Sequence, residues 1–460
     1  MEHLQLDNSE TICAISTAPG RGAIALVRVS GPKAIEITDS LWNGRRLVKA
    51  DSHTAHLGTL TDGNGNDIDQ CVATVYRAPR SFTSEDTVEI ALHGSSWIQK
   101  KAIDVLCSSG CRLAHPGEFT RRAVKAGRID ITQAEAIGDL IAASSEAAHK
   151  AAMGQLRGTV KAGIEQLRAR LLELAGLLEL ELDFSDMDVE FVPRQELLDA
   201  ATGIRRHIGT LLKSFSCGNA IKEGFPIAIV GPVNSGKSKL LNTILGDDKA
   251  IVSNIPGTTR DIVEDTIAIG PYTARILDTA GLRHTSDTIE QIGIQRAREA
   301  AAKAGIVLYV IDAPNPRTTS EIEADTAGLD SGKIIYVVNK TDITSHTPDL
   351  PATDTVVHIS ALNNEGIDSL LAAVAAKIDS AVKTSADSEG LIITNIRHAQ
   401  ALEQAHRAIN AVIDGLASQL TTDLVAEELR QTIHHLSTIT GAIPPPEILQ
   451  SIFSNFCIGK

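Results

Sequence analysis

Pro226-Ile227-Ala228-Ile229-Val230 runs directly into Gly231-Pro232-Val233-Asn234-Ser235-Gly236-Lys237-Ser238 and then into Lys239-Leu240-Leu241-Asn242. The apolar run reads as a buried strand and the last stretch as the start of a helix. The loop between them fits G-x-x-x-x-G-K-[ST]. Its glycines let backbone N–H groups wrap a phosphate, and the helix N-terminus adds partial positive charge. Lys237 would reach the β/γ-phosphates and the Ser238 hydroxyl would ligate Mg²⁺. Asn234, Ser235, Gly236 and Lys239 complete this set of expected contacts. The pattern predicts an α/β nucleotide site and leaves the base unnamed.

The base is named downstream. Ala274-Arg275-Ile276-Leu277, Ile306-Val307-Leu308-Tyr309-Val310-Ile311 and Ile334-Ile335-Tyr336-Val337-Val338 are near-continuous apolar runs, as in a parallel sheet covered on both faces. Asn339-Lys340-Thr341-Asp342 ends the last of these. A carboxylate there can accept from guanine N1–H and the exocyclic amine. Adenine offers neither donor and would leave a buried Asp342 unpaired, at about 1–3 kcal/mol. Ser360-Ala361, after Val356-Val357-His358-Ile359, is placed to meet the base through its backbone. Asp278-Thr279-Ala280-Gly281 ends another strand, with Asp278 placed to hold Mg²⁺ through water and the Gly281 N–H to sense a γ-phosphate. The set in this order implies a GTPase domain over about residues 222–380. Leu282 stands where Ras-type enzymes carry a water-orienting glutamine, so hydrolysis needs another residue and another positive charge. Asn234 and the oxygen-rich run Ser253-Asn254-Ile255-Pro256-Gly257-Thr258-Thr259 could hold a monovalent cation or Mg²⁺; the same run also suits an ordinary switch loop.

On either side of that segment the texture is helical. Between Pro116 and Pro193 there is no proline, and Leu167, Leu171, Leu174 and Leu178 step by four, three and four down one helix face. Helical texture returns after about 385. The expected architecture is therefore multidomain α/β plus α. An N-terminal α+β domain (1–125) precedes a helical domain in two halves (126–221 and 381–460), interrupted by a Ras-like G domain (222–380). The acidic stretch from Glu179 to Glu190 reads as a solvated or interdomain face; a divalent-metal site is the alternative, with no metal-ligand spacing to single it out. In the first domain, Arg28 and Glu89 each stand on a mainly apolar strand face and want a partner, a ligand or another side chain.

Composition bounds what else the chain can be. Its 460 residues are 43% hydrophobic and carry a formal charge of -14, so the chain as a whole does not wrap nucleic acid electrostatically. Aromatics are only 3%, too few for a base-stacking surface. Residues 98–130 carry seven Lys/Arg against three Asp/Glu, a local basic surface for an RNA. Six cysteines are too few for a disulfide framework, and Cys107-x-x-x-Cys111 lacks a second close pair for zinc. With no basic apolar leader and no apolar run approaching 18 residues, a cytoplasmic protein away from the membrane is expected.

Asn234, Gly257-Thr258-Thr259-Arg260-Asp261, Asp278-Thr279-Ala280-Gly281-Leu282-Arg283 and Phe456-Cys457-Ile458-Gly459-Lys460 together resemble the MnmE (TrmE) family of tRNA-modification GTPases. Pro19-Gly20-Arg21-Gly22, Ser81-Phe82-Thr83, Pro116-Gly117-Glu118-Phe119 and Gln133-Ala134-Glu135-Ala136-Ile137 extend the resemblance to essentially the whole chain. It implies a homodimer formed through the N-terminal domain. It also implies a heterotetramer-type complex with the FAD-carrying flavoprotein MnmG (GidA), and addition of an aminomethyl-type group, commonly carboxymethylaminomethyl, to carbon 5 of the wobble uridine of certain tRNAs. The one-carbon unit would come from 5,10-methylene- or 5-formyl-tetrahydrofolate, held by Arg28, Glu89, Arg128 and Lys460. K⁺ would be ligated by Asn234, Ser253, Ile255 and Thr258, and Mg²⁺ by Ser238 and Thr259. Glu290 would orient the attacking water. From the residues of the tail alone, Cys457 is a candidate functional thiol; Cys-Ile-Gly-Lys also has the outline of a prenylation box, for which its terminal lysine is atypical. The chain departs from the family in Pro232-Val233, where proline usually precedes the asparagine directly, and in arginine rather than lysine at 128. The rival expectation is a ribosome-assembly or RNA-binding GTPase switch without covalent chemistry.

Overall fold

The computed structural model describes residues 10–183, 193–246, 265–277, 298–344, 349–351, 355–385, 391–418, 420–441 and 459. These belong to two compact units, Met1–Gly138 with Thr440–Lys460, and Asp139–Ile439.

The first unit is built on seven strands: β1 (Ile12–Ile15), β2 (Ile24–Ser30), β3 (Trp42–Gly44), β4 (Thr54–Thr61), β5 (Asp67–Tyr76), β6 (Thr87–His93) and β7 (Arg112–Leu113). They form one sheet in the order β3-β4-β5-β6-β2-β1-β7. Every pairing is antiparallel except β1 with β7. Parallel neighbours need a crossover, and helix α2 (Ser96–Ser108) lies on the path into β7. Strand β2 alternates: Ala25, Val27 and Val29 enter the core while Ile24, Leu26 and Arg28 occupy the other, wetter face. Helices α1 (Ala34–Ser40), α3 (Glu118–Lys125) and α4 (Ile131–Ala142) complete the unit; α4 runs on past its border.

The second unit begins with α5 (Glu146–Leu156), α6 (Thr159–Asp183) and α7 (Arg194–Glu223). The leucine stripe of α6 is buried along its length. It shares one core with Ile204, Ile208 and Leu211 of α7, and with Leu402, Ile409, Leu429 and Leu436 from two helices much later in the chain, α11 (Ile396–Ala417) and α12 (Thr422–Thr440). Residues from before and after the α/β segment thus fill one helical core, which makes that domain discontinuous in sequence.

Between these halves lies a six-stranded sheet, order β13-β12-β11-β8-β10-β9. Its strands are β8 (Phe225–Val230), β9 (Asp265–Ile269), β10 (Tyr272–Ile276), β11 (Ile306–Asp312), β12 (Ile334–Asn339) and β13 (Val356–His358). All neighbours are parallel except the edge strand β9 against β10. Helices α8 (Lys237–Leu245), α9 (Thr319–Asp325) and α10 (Ile367–Ser385) accompany it. Strands β11 and β12 are buried at every residue, as their unbroken apolar sequences require for a sheet covered on both faces. The order places the carboxyl ends of β8, β11 and β12 side by side, where an open α/β sheet receives its ligand.

Among the described residues, no helix is long and apolar enough to cross a membrane.

Candidate functional site

The loop after β8 has the backbone of a phosphate cradle. Gly231 and Gly236 take φ of +141° and +96°, values that side chains rarely adopt. A Cβ on Gly236 would lie 2.2 Å from Asn339 Nδ2, and one on Gly231 would lie 2.3 Å from the Val310 carbonyl oxygen. Neither position admits any other residue. Asn234 also sits in the left-handed region at φ +66°, where asparagine is among the more tolerant residues. Gly236 caps α8, so the first amides of that helix face the loop. Lys237 Nζ donates to the carbonyl oxygens of Gly231 at 2.9 Å and Pro232 at 2.6 Å. Burial, with the Arg317 charge adding to it, pulls the ammonium below the usual lysine range, and a phosphate brought to it would favour the charged form. The Ser235 hydroxyl is fully buried without a hydrogen-bond partner. These features fit an anionic, oxygen-rich ligand wrapped by backbone. Ser238 follows Lys237 on the first turn of α8, and Lys239 is exposed on the next position.

The expected base contacts converge on the same loop. Asn339 ends β12, and its amide bridges two segments: Nδ2 donates to Ser235 O at 2.8 Å, and Oδ1 accepts from the Ala361 N–H at 3.1 Å. One side chain therefore locks the phosphate loop to the Ser360-Ala361 segment. Ser360 is fully buried and donates to Asp342 Oδ1 at 2.6 Å, which fixes the carboxylate and leaves its other oxygen for a ligand. Its hydroxyl in turn accepts from the Asn363 N–H at 3.2 Å. Lys340 adopts φ +67° and pairs with Asp312 at the end of β11, Nζ to Oδ1 at 3.0 Å. Sequence reading did not find Asp312, nor Thr243, whose hydroxyl donates to the Ala361 carbonyl at 3.0 Å. An acidic residue closing the apolar run 306–311 was the available signal for the first; a threonine inside a helix carried none.

In the first unit Arg28 and Glu89, each expected to want a partner, find one in each other. They are direct partners across β2 and β6, with Arg28 Nε to Glu89 Oε1 at 2.9 Å and Nη2 to the same oxygen at 2.7 Å. Phe82 and Phe119 each lie 5.6 Å from the Arg28 guanidinium carbon, a cation–π arrangement on a half-buried charge. Tyr76 is close enough that burial, then the Glu89 charge, pushes its phenol up. The pair is satisfied internally, and its half-buried, aromatic-framed charges also suit a planar polar ligand. Arg128 is exposed just beyond α3, with no ion-pair partner among the described residues.

The basic stretch 98–130 is corrected by its partners. Arg122 is fully buried and pairs with Glu118 and Glu85, both at 3.0 Å, while Arg112 pairs with Glu118 at 2.7 Å and Glu10 at 2.6 Å. Arg121 adds a longer contact to Glu118 at 3.7 Å. Lys100, Lys101, Lys125 and Arg128 are the lysine and arginine side chains of the stretch with no ion-pair partner among the described residues. No group of three or more His, Cys, Asp or Glu among the described residues is arranged to hold a metal ion. Ser253, Ile255, Thr258, Thr259, Asp278, Gly281, Glu290, Cys457 and Lys460 lie outside the described residues. Gly459, between the last two, is described: Ser16 Oγ donates to its carbonyl at 3.0 Å. Its φ is +102°, and a Cβ there would lie 2.1 Å from the Ile15 carbonyl oxygen.

Two family models match the chain: the MnmE helical domain over residues 131–457 and the GTP-binding protein TrmE N-terminus over residues 11–128. A tRNA modification GTPase MnmE of Parabacteroides distasonis is 44% identical, covering 98% of this chain and 100% of that protein. The tRNA modification GTPase MnmE of Cytophaga hutchinsonii is 42% identical over 99% of this chain and 98% of its own length. Among solved structures, the G domain of the T. maritima FeoB iron transporter aligns with a TM-score of 0.24 at 24% identity, covering 34% of this chain and 98% of that one.

Proposed function

The chain belongs to the MnmE family of tRNA modification GTPases, and from that premise we propose that it hydrolyses GTP to drive addition of a carboxymethylaminomethyl-type group at carbon 5 of a tRNA wobble uridine. The observation that carries the GTP half is the Asn339 amide, which ties the phosphate loop to the Ser360-Ala361 segment beside a carboxylate held by Ser360. That assembly is selective by chemistry. Asp342 can accept from guanine and has nothing to accept from adenine. Lys237, Ser235 and the first amides of α8 would take the phosphates, and Ser238 with Thr259 would hold Mg²⁺.

For the modification half, the working partner would be the flavoprotein MnmG, acting with a homodimer of this chain in the cytoplasm. Arg28, Glu89, Arg128 and Lys460 would hold the tetrahydrofolate derivative that supplies the one-carbon unit. The half-buried Arg28–Glu89 pair supports this, because a ligand offering both a donor and an acceptor could replace each partner's contact without leaving a buried charge alone. Nucleoside analysis of tRNA from cells lacking the protein tests the reading. The expected result is loss of the modified wobble uridine, restored by the intact gene; unchanged uridines would overturn it.

Leu282 cannot orient water, so turnover would rest on Glu290 and on K⁺ held by Asn234, Ser253, Ile255 and Thr258. We expect GTP turnover in potassium to exceed that in sodium by about 10³-fold, the low end of what a supplied cation contributes in such enzymes. Glu290→Ala should lower turnover about 10²–10⁴-fold with GTP affinity unchanged. Equal rates in the two salts would remove the cation from the account.

A further inference from the structure

We propose that Cys13 and Cys107 form a redox-responsive thiol pair that closes to a disulfide under a hydroperoxide. In sequence Cys107-x-x-x-Cys111 is half a motif. The fold supplies a third thiol from 94 positions away: Cys13 Sγ lies 3.8 Å from Cys107 Sγ, and Cys111 is within hydrogen-bonding reach of Cys13 as well. Cys13 is on β1, an interior strand between β2 and β7. Cys107 is the penultimate residue of α2, and Cys111 precedes β7. Three of the chain's six cysteines thus meet at one place, while no metal-holding group forms there.

The two sulfurs are unequally placed, which sets the order of events. Cys13 is fully buried and Cys107 half-buried, so an oxidant reaches Cys107 first. Its thiolate attacks the peroxide O–O bond, giving a sulfenic acid and releasing one water. The Cys13 sulfur then attacks the sulfenic sulfur. The S–S bond forms, the S–O bond breaks, and the leaving hydroxide takes the Cys13 proton as a second water. The sum is two thiols and one hydrogen peroxide to one disulfide and two waters. The sulfurs must close from contact to about 2.05 Å, a shift of roughly 1.8 Å at a helix end. Burial, then the neighbouring Cys13, pushes the Cys107 thiol up to about 11. The pair is therefore slow at neutral pH, with a thiolate fraction that rises tenfold per pH unit. Closure would fasten α2 to the strand that leads into Ser16, where Gly459 is seated.

The test uses the full chain, reduced, exposed to hydrogen peroxide at pH 7, 8 and 9, then alkylated and digested without reductant for mass spectrometry. The expected product joins the Cys13 and Cys107 peptides, forms about tenfold faster per pH unit, and disappears on reduction. It should be absent in Cys107→Ser and retained in Cys111→Ser. Cys13 left alkylatable while Cys107 proceeds to the sulfinic acid would overturn the proposal, as would a Cys107–Cys111 link in its place. The linkage map of the unsubstituted chain decides even if a serine variant fails to fold.

Discussion

At the scale of single residues, the nucleotide site was legible wherever a backbone requirement or a base contact is written in residue type. Gly231, Gly236, Lys237, Asn339 and Asp342 were picked out as candidates because the expected phosphate and base contacts call for those residue types. What stayed hidden was how they are tied together, since hydrogen bonds across a hundred positions leave no spacing signal. Asn339 to Ser235 and Thr243 to Ala361 are of this kind. Asp342→Asn tests the base reading. The amide turns a donor toward the guanine amine, so GTP affinity should fall about 10–100-fold by calorimetric titration, while xanthosine triphosphate, whose C2 carbonyl accepts that donor, should bind more tightly than it does to the unsubstituted chain. A second residue-scale prediction concerns Gly459. Alanine there would place its Cβ against the Ile15 carbonyl, on a strand that cannot yield without breaking its ladder, and in a left-handed conformation as well. Alkylation of Cys457 in Gly459→Ala should rise at least tenfold, by site-resolved mass spectrometry, with GTP affinity unaltered. An unchanged rate would mean the seat does not restrain the tail.

At the scale of elements, apolar patterning identified α6 and five of the six G-domain strands, β9 being the one left unread, because a parallel sheet buries whole apolar runs and α6 buries a leucine stripe. The first unit was less legible. Only two of its seven strands were read, since β4 and β5 mix threonine, histidine and aspartate with their apolar residues. Nor could composition show that the basic stretch 98–130 folds inward. Helix α3 carries Glu118 and Arg122 at i and i+4, both buried, and Arg112 of β7 completes the cluster. Burial raises the Glu118 pKa, but hydrogen bonds from Arg112, the His115 N–H and Arg122 outweigh it and hold the carboxyl down at about 2. Because the folded value lies below the ordinary one near 4.5, the stabilisation is complete above pH 4.5 and is lost as pH falls toward 2. It amounts to about 3 kcal/mol. Glu118→Gln should erase that acid limb and destabilise the unit by about 3–5 kcal/mol at pH 7, because Arg122 keeps a buried charge with one partner fewer. Hydrogen exchange at the Arg112 and Ala114 amides, which bond to the carbonyls of Thr11, just before β1, and of Cys13 within it, reads both effects.

At the scale of the whole molecule, the chain leaves its first unit at residue 138 and returns to it at 440. That excursion was foreseen only for the G domain, because an inserted α/β segment changes texture at both borders whereas a helix running past a border does not. Synthesis is directional, so the excursion is also a delay. Strand β1 is made before the second unit, yet its neighbour at Ser16, Gly459, is made after all of the second unit. At ordinary elongation rates the roughly 300 intervening residues take about 15–60 s. In ribosome-arrested chains stopped shortly after residue 439 has emerged, limited proteolysis should find the second unit resistant and the segment around Ser16 still cleavable, with protection there only once Gly459 has left the tunnel. The first unit is thus begun before the second and finished after it, and its completion reports that everything between has been translated.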